Sequence, residues 1–113
     1  MKCLAVAALI LILMGCTSPS QKSQDLINSG DINAAQIQTQ ACANAGDSNC
    51  MNNLAVIVES HNGVIAGPLT REEIYLSWYN LAARYGNPTA QQNLLRLGQP
   101  IPPAVLYVQP APQ

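Results

Sequence analysis

Apolar residues form one continuous run near the start of the chain, Leu4–Met14, and are spaced among polar residues thereafter. The run is shorter than the roughly 20 residues that a membrane-spanning helix needs. Lys2 precedes it and a small residue, Gly15, follows it, which is the order of parts in an export signal. The pattern therefore predicts a removed signal peptide over residues 1–15 and no retained membrane helix.

Two helices are predicted, one before and one after Gly46. Asp31 can cap a helix that runs to Ala45, and a second helix starts near Asp47 or Ser48 and stops around Ser60. Both carry apolar residues at helical spacing, which gives each helix one face for a core. These residues are Ile32, Ala35, Ala41, Cys42 and Ala45 in the first helix and Met51, Leu54, Ala55, Ile57 and Val58 in the second.

Two further helices follow a turn-rich loop over residues 61–69. Thr70-Arg71-Glu72-Glu73 is a capping box, and it opens a helix that runs to Tyr85. Asn87-Pro88 places a capping side chain before a proline at the first helical position, so another helix should run to just before Gly98. The apolar positions are Ile74, Trp78, Leu81, Ala82 and Tyr85, then Ala90, Leu94, Leu95 and Leu97. The chain is therefore expected to be all-α.

The segments that flank these helices have few helical signals. Cys16–Lys22 is polar and predicts a flexible tether, so we expect residues 16–30 to hold a tether and a short first helix at most. Residues 31–98 are the predicted helical domain. The tail, 99–113, holds five of the eight prolines and should be extended, laid over the last helix by its apolar residues. These are Ile101, Val105, Leu106, Tyr107 and Val108.

Charge and motifs narrow the function. Beyond the signal the chain is mildly acidic and no two basic residues are neighbours, which argues against nucleic-acid binding. No nucleophile elbow, Ser-x-x-Lys, His-Glu-x-x-His or phosphate loop occurs. His61, the lone histidine, is more readily a solvated loop residue than a catalytic one. We therefore expect no enzyme activity, no cofactor and no metal.

Cys42 and Cys50 are the cysteines that remain beyond Cys16. Their C-x7-C spacing differs from the C-x-x-C pairs of structural zinc sites. An even pair in an oxidising compartment predicts a disulfide, with a reactive Cys42 thiol as the less favoured alternative. Among the aromatic residues, Tyr75 and Tyr79 fall on a face beside the core and are candidates to line a partner-binding groove.

Leu13-Met14-Gly15-Cys16 resembles the lipobox of bacterial lipoproteins. That resemblance implies cleavage before Cys16 and acylation of Cys16, and two or more acyl chains suffice for stable anchoring. Thr17 follows in place of the Asp that retains enterobacterial-type lipoproteins in the inner membrane. By that analogy we expect a lipid anchor in the outer membrane of a Gram-negative host, facing the periplasm.

Two segments of the helical region are similar to each other. Ala41-Cys42, Gly46 and Asn53-Leu54 recur about 40 residues later as Ala82-Ala83, Gly86 and Asn93-Leu94. The segment 78–94 resembles the Sel-like repeat family, relatives of the tetratricopeptide repeat, and 40–55 resembles its cysteine-rich branch. The resemblance implies a short α-solenoid of antiparallel helix pairs, one and a half to two repeats long. It also implies that a Cys42–Cys50 bridge links the end of one helix to the start of the next.

The same resemblance implies a protein–protein interaction scaffold or assembly factor in the cell envelope, with an unidentified protein partner. Two alternatives remain open at the level of sequence. One is a small-ligand or β-lactam-binding protein, because some cysteine-rich members have been linked to β-lactam binding. The other is a pilotin-like lipoprotein that escorts an outer-membrane assembly.

Overall fold

A computed structural model describes residues 17–104 of the chain. Over this range the protein is all-helical, as predicted, and has no β-strand. None of its helices is long and apolar enough to cross a membrane. In chain order the helices are α1 (Pro19–Ser29), α2 (Ile32–Asn44), α3 (Ser48–Ser60), α4 (Arg71–Arg84) and α5 (Pro88–Arg96).

The first helix corrects the predicted tether, because α1 begins at Pro19 and not after Lys22. The Ser18 side chain accepts a hydrogen bond from the Gln21 backbone N–H at 3.1 Å, and proline occupies the first helical turn. The helix buries Ile27 against the domain. The start of α1 is set by the Ser18-Pro19 cap, and few apolar residues pack it against the domain. Hydrophobic periodicity therefore did not predict this helix.

The starts of the other helices follow the predicted capping residues. Asp31, Asp47 and Asn87 each accept a backbone N–H of the helix that they precede. Thr70 and Glu73 form the reciprocal capping box, with Glu73 Oε1 accepting the Thr70 N–H at 2.8 Å and Thr70 Oγ1 accepting the Glu73 N–H at 3.1 Å. Local chemistry therefore fixes where α2 to α5 begin.

Each helix packs against its neighbours in the chain, and α1 also packs against α3. The main core lies between α2, α3, α4 and α5, and Leu54, Tyr79 and Leu94 at its centre are buried. The predicted apolar face of α2 is partly wrong, since Ala41 and Ala45 are exposed and Thr39 and Ala43 are buried instead.

The turn from α2 to α3 and the turn from α4 to α5 share one hydrogen-bond pattern. The N–H of Asp47 bonds to the Cys42 carbonyl, and 40 residues later the N–H of Asn87 bonds to the Ala82 carbonyl. Gly46 and Gly86 take positive φ angles of 100° and 85° in these turns, a conformation that favours glycine. The two turns therefore align Cys42 with Ala82, one residue away from the pairing that the sequence suggested.

The predicted tail is described only as far as Ala104. Residues 99–104 are not helical, and Ile101 is 42% exposed. The other apolar residues expected to lie over the last helix, at 105–108, fall outside the described residues, and so does the predicted signal peptide.

Candidate binding groove

A groove crosses α1, α3 and α5 and is lined almost entirely by amide and hydroxyl side chains. It encloses about 300 Å³. No charged side chain lines it, so its recognition chemistry is hydrogen bonding without a net field. We call it the amide groove, and its lining residues are Ser20, Gln21, Gln24, Asn49, Asn52, Asn53 and Thr89.

Three asparagines of α3 form the floor, and hydrogen bonds to neighbouring helices hold them in place. Asn53 Nδ2 donates to Ser23 Oγ of α1 at 3.1 Å. On the other side, Asn93 Nδ2 donates to Asn52 Oδ1 at 3.0 Å. These bonds orient the α3 amides toward α1 and α5, and they make the groove a fixed surface.

The third asparagine is held by the cap of α5. Asn87 accepts the Ala90 N–H through Oδ1 and donates Nδ2 to Asn49 Oδ1 at 2.8 Å. One polar group of each floor amide is thus hydrogen-bonded within the fold. The remaining groups, Nδ2 of Asn49 and Asn52 and Oδ1 of Asn53, make no hydrogen bond with the described part of the chain. They are available to a ligand as donors and as an acceptor.

A charged cluster joins the end of α3, the middle of α4 and the end of α5. Arg96 binds both carboxylate oxygens of Glu59, at 2.7 and 3.0 Å, and Tyr79 Oη donates to Glu59 Oε1 at 2.6 Å. The Arg96 hydrogen bond lowers the pKa of Glu59 below its usual 4.5, opposed by burial. Burial, followed by the Glu59 hydrogen bond, raises the pKa of Tyr79. Arg96 also donates to Asn93 Oδ1 on its own helix, at 3.3 and 3.4 Å. Because its hydrogen bonds join three helices, the cluster is structural.

Cys42 and Cys50 are joined by a disulfide in the structure, with Cα atoms 5.7 Å apart. Asp47 lies beside them, and together the three side chains have the spacing of a metal-binding group. Asp47 Oδ1 already accepts the N–H groups of Asn49 and Cys50, at 2.9 and 3.1 Å. With both sulfurs bonded and the carboxylate used as a helix cap, the cluster fastens the end of α2 to the start of α3.

The predicted tyrosine groove is not formed as expected. Tyr79 has no exposed surface and lies in the core, where its ring and the Tyr75 ring form a T-shaped pair with centroids 6.2 Å apart. Tyr75 is half-buried and packs against the core. The helical spacing placed Tyr79 on a flank of α4, but α3 covers that flank and supplies Glu59 as the partner for the hydroxyl.

The structure does not bring the other predicted residues to the groove. His61 is exposed at the end of α3, and Cys16 lies outside the described residues. Sequence reasoning missed the α3 asparagines, although their positions carry a signal. Asn49, Asn52 and Asn53 are spaced i, i+3, i+4, which places them on one face of a helix.

No protein-family model, curated protein or solved structure matches this chain.

Proposed function

We propose that this protein is a lipid-anchored envelope protein whose helical domain binds a segment of another protein in the amide groove. The observation that carries the binding role is the row of oriented, half-used amides along α3. The proposed lipid anchor is based on the lipobox-like Leu13-Met14-Gly15-Cys16, and the proposed location in the outer membrane is based on Thr17.

An extended peptide backbone suits this groove chemically. Each of its peptide groups offers one N–H and one C=O, the same pair that an asparagine or glutamine side chain offers in reverse. Because the lining is uncharged, binding a peptide there does not remove water from an unpaired charged side chain of the groove. The groove therefore favours a neutral partner segment over a strongly charged one.

The repeated turn supports a Sel-like, solenoid-type arrangement for the same domain. The hydrogen bonds at Asp47 and Asn87 recur at a spacing of 40 residues, and α3 contacts both α1 and α5. Stacked helix pairs present the alternate helices on one surface, which is where the amide groove lies.

Site-specific photo-crosslinking in intact cells tests the binding role. A photoreactive residue at Gln24, in the groove, should capture one partner protein, and the same residue at Ser77 of α4 should not. Thr89→Arg places charge and bulk in the groove and should abolish capture. Gln92→Arg is the matched control, exposed on the same helix but outside the groove, and it should not affect capture.

The purified partner must then bind the full chain with the same sensitivity to Thr89→Arg. Equal capture from Gln24 and Ser77, or equal loss with both arginine variants, would overturn the groove as the binding site. The anchor is tested separately, by mass spectrometry of the native product for acyl chains on Cys16.

A further inference from the structure

The outward face of α2 carries an apolar patch that no other element of the described chain covers. Ile37 is 74% exposed and Val64, from the following loop, is 68% exposed. With Ala41 they form what we call the α2 patch, a shallow depression of about 700 Å³. Its rim is made of amides with no charged side chain, from Asn33, Gln36, Gln40 and Asn44.

The exposure of Val64 is fixed by hydrogen bonds. Gln36 Nε2 donates to the Val64 carbonyl and Gln36 Oε1 accepts the Val64 N–H, both at 2.8 Å. The preceding carbonyl, of Gly63, accepts a hydrogen bond from Arg71 at 2.7 Å, and the Gly63 N–H bonds to the Ile57 carbonyl at 3.0 Å. The fold thus holds an apolar side chain outward, where water gives it no favourable contact.

The patch lies close to the start of α1. Gln38, the residue after Ile37, donates Nε2 to the Pro19 carbonyl at 3.0 Å. Cys16 is three residues before Pro19, and three residues span at most about 10 Å. Acyl chains on Cys16 would therefore keep this side of the domain beside the bilayer.

We propose that the α2 patch rests on the membrane, with Ile37 and Val64 inserted among the lipid headgroups. The proposal depends on the lipid anchor of the proposed function. A tether this short makes the contact intramolecular, so that even a few apolar side chains suffice. The neutral rim meets no repulsion from anionic lipids.

A second copy of this chain fits the patch less well than a membrane. Stable protein–protein interfaces use roughly 20–30 residues on each side, whereas the α2 patch has three apolar residues within a ring of amides. The patch and the amide groove share no lining residue. The two surfaces are therefore formed by different side chains.

Quenching of tryptophan fluorescence by brominated phospholipids tests this orientation in the lipidated full chain. Ile37→Trp and Leu95→Trp both replace exposed apolar residues, 74% and 60% exposed, and Leu95 lies on α5. Trp78 is common to both proteins and serves as the baseline. Vesicles of brominated phosphatidylethanolamine and phosphatidylglycerol should quench the added fluorescence of Ile37→Trp at least about twofold more, since interfacial side chains reach roughly 5–10 Å into the bilayer.

Val64→Trp provides a second probe in case Ile37→Trp misfolds, as judged by circular dichroism. Equal quenching in the patch and control variants, with acyl chains present by mass spectrometry, overturns the orientation and leaves the proposed function standing. A patch covered by a second copy or by a partner protein would also abolish the difference and overturn it. A product without acyl chains overturns both the orientation and the anchor.

Discussion

Tyr79 Oη donates a 2.6 Å hydrogen bond to Glu59 Oε1, and it does so from a side chain with no exposed surface. The same carboxylate is held by Arg96 of α5. One acid of α3 therefore connects α3 to both helices that follow it, and the carboxylate has a partner for each oxygen.

Tyr79→Phe removes the hydroxyl and leaves the Glu59–Arg96 pair in place. We expect the free energy of unfolding to fall by about 1–2 kcal/mol, since a hydrogen bond to a charged acceptor is lost without creating a cavity. Chemical denaturation measures it. Tyr75→Phe, on the same helix, is the control and should change stability by less than about 0.5 kcal/mol. Equal effects of the two substitutions would contradict the role given to the Tyr79 hydroxyl.

The lowered pKa of Glu59 predicts how the stability of the protein changes at acid pH. Because the pKa of Glu59 is lowered in the native state, the unfolded chain binds its proton more readily. The stability contributed by this carboxylate is then complete above its ordinary pKa of 4.5 and is lost as the pH falls through the lower native value.

Denaturation between pH 6 and 3 should therefore show a smaller fall in Glu59→Gln than in the wild type. Glu72→Gln is the matched control, because Glu72 is exposed and forms no ion pair within residues 17–104. A Glu59→Gln curve as steep as the wild-type curve would rule out this source of acid sensitivity.

The sequence predicted the starts of α2 to α5 from their capping side chains, but it missed the Ser18 cap of α1 and the contacts whose partners come from elsewhere in the chain. Asp47 and Thr70 cap as expected because each bonds to atoms within three residues. Tyr79 was misplaced because its burial depends on α3, 20 residues away. The Asn52–Asn93 bond spans 41 residues and has no local signature beyond helical spacing. Long-range polar pairing was thus the part of the site beyond prediction.

The Cys42–Cys50 bridge should add about 2–3 kcal/mol to the free energy of unfolding, because it reduces the number of conformations open to the unfolded chain. Replacing both cysteines with alanine should lower the melting temperature by roughly 10 °C. Ala82 and Ala90 occupy the aligned positions of the other turn and are buried, so alanine fits this geometry. Reductant should lower the melting temperature of the wild type, whereas it should not change the melting temperature of the double variant. Melting unchanged by reductant in both would refute a stabilising bridge.

Gln36→Ala should loosen the loop that carries Val64, because both hydrogen bonds to the Val64 backbone come from this one side chain. Hydrogen exchange in residues 61–66 should accelerate roughly tenfold, with little loss of global stability. Gln40→Ala removes a hydrogen bond to Asn44 within α2 and should leave the loop unchanged. Exchange that is equally slow in both variants would mean that Arg71 alone holds the loop.

Ser23 and Thr39 form a buried hydroxyl pair between α1 and α2, with the oxygens 2.6 Å apart. Ser23→Ala leaves the Thr39 hydroxyl buried without its partner and should cost about 1–3 kcal/mol of unfolding free energy. Adding Thr39→Val removes the stranded hydroxyl, so the double variant should be more stable than the sum of the single effects predicts. Denaturation of all four proteins gives the coupling energy. A coupling near zero would show that the hydrogen bond between Ser23 and Thr39 does not stabilise the packing of α1 on α2.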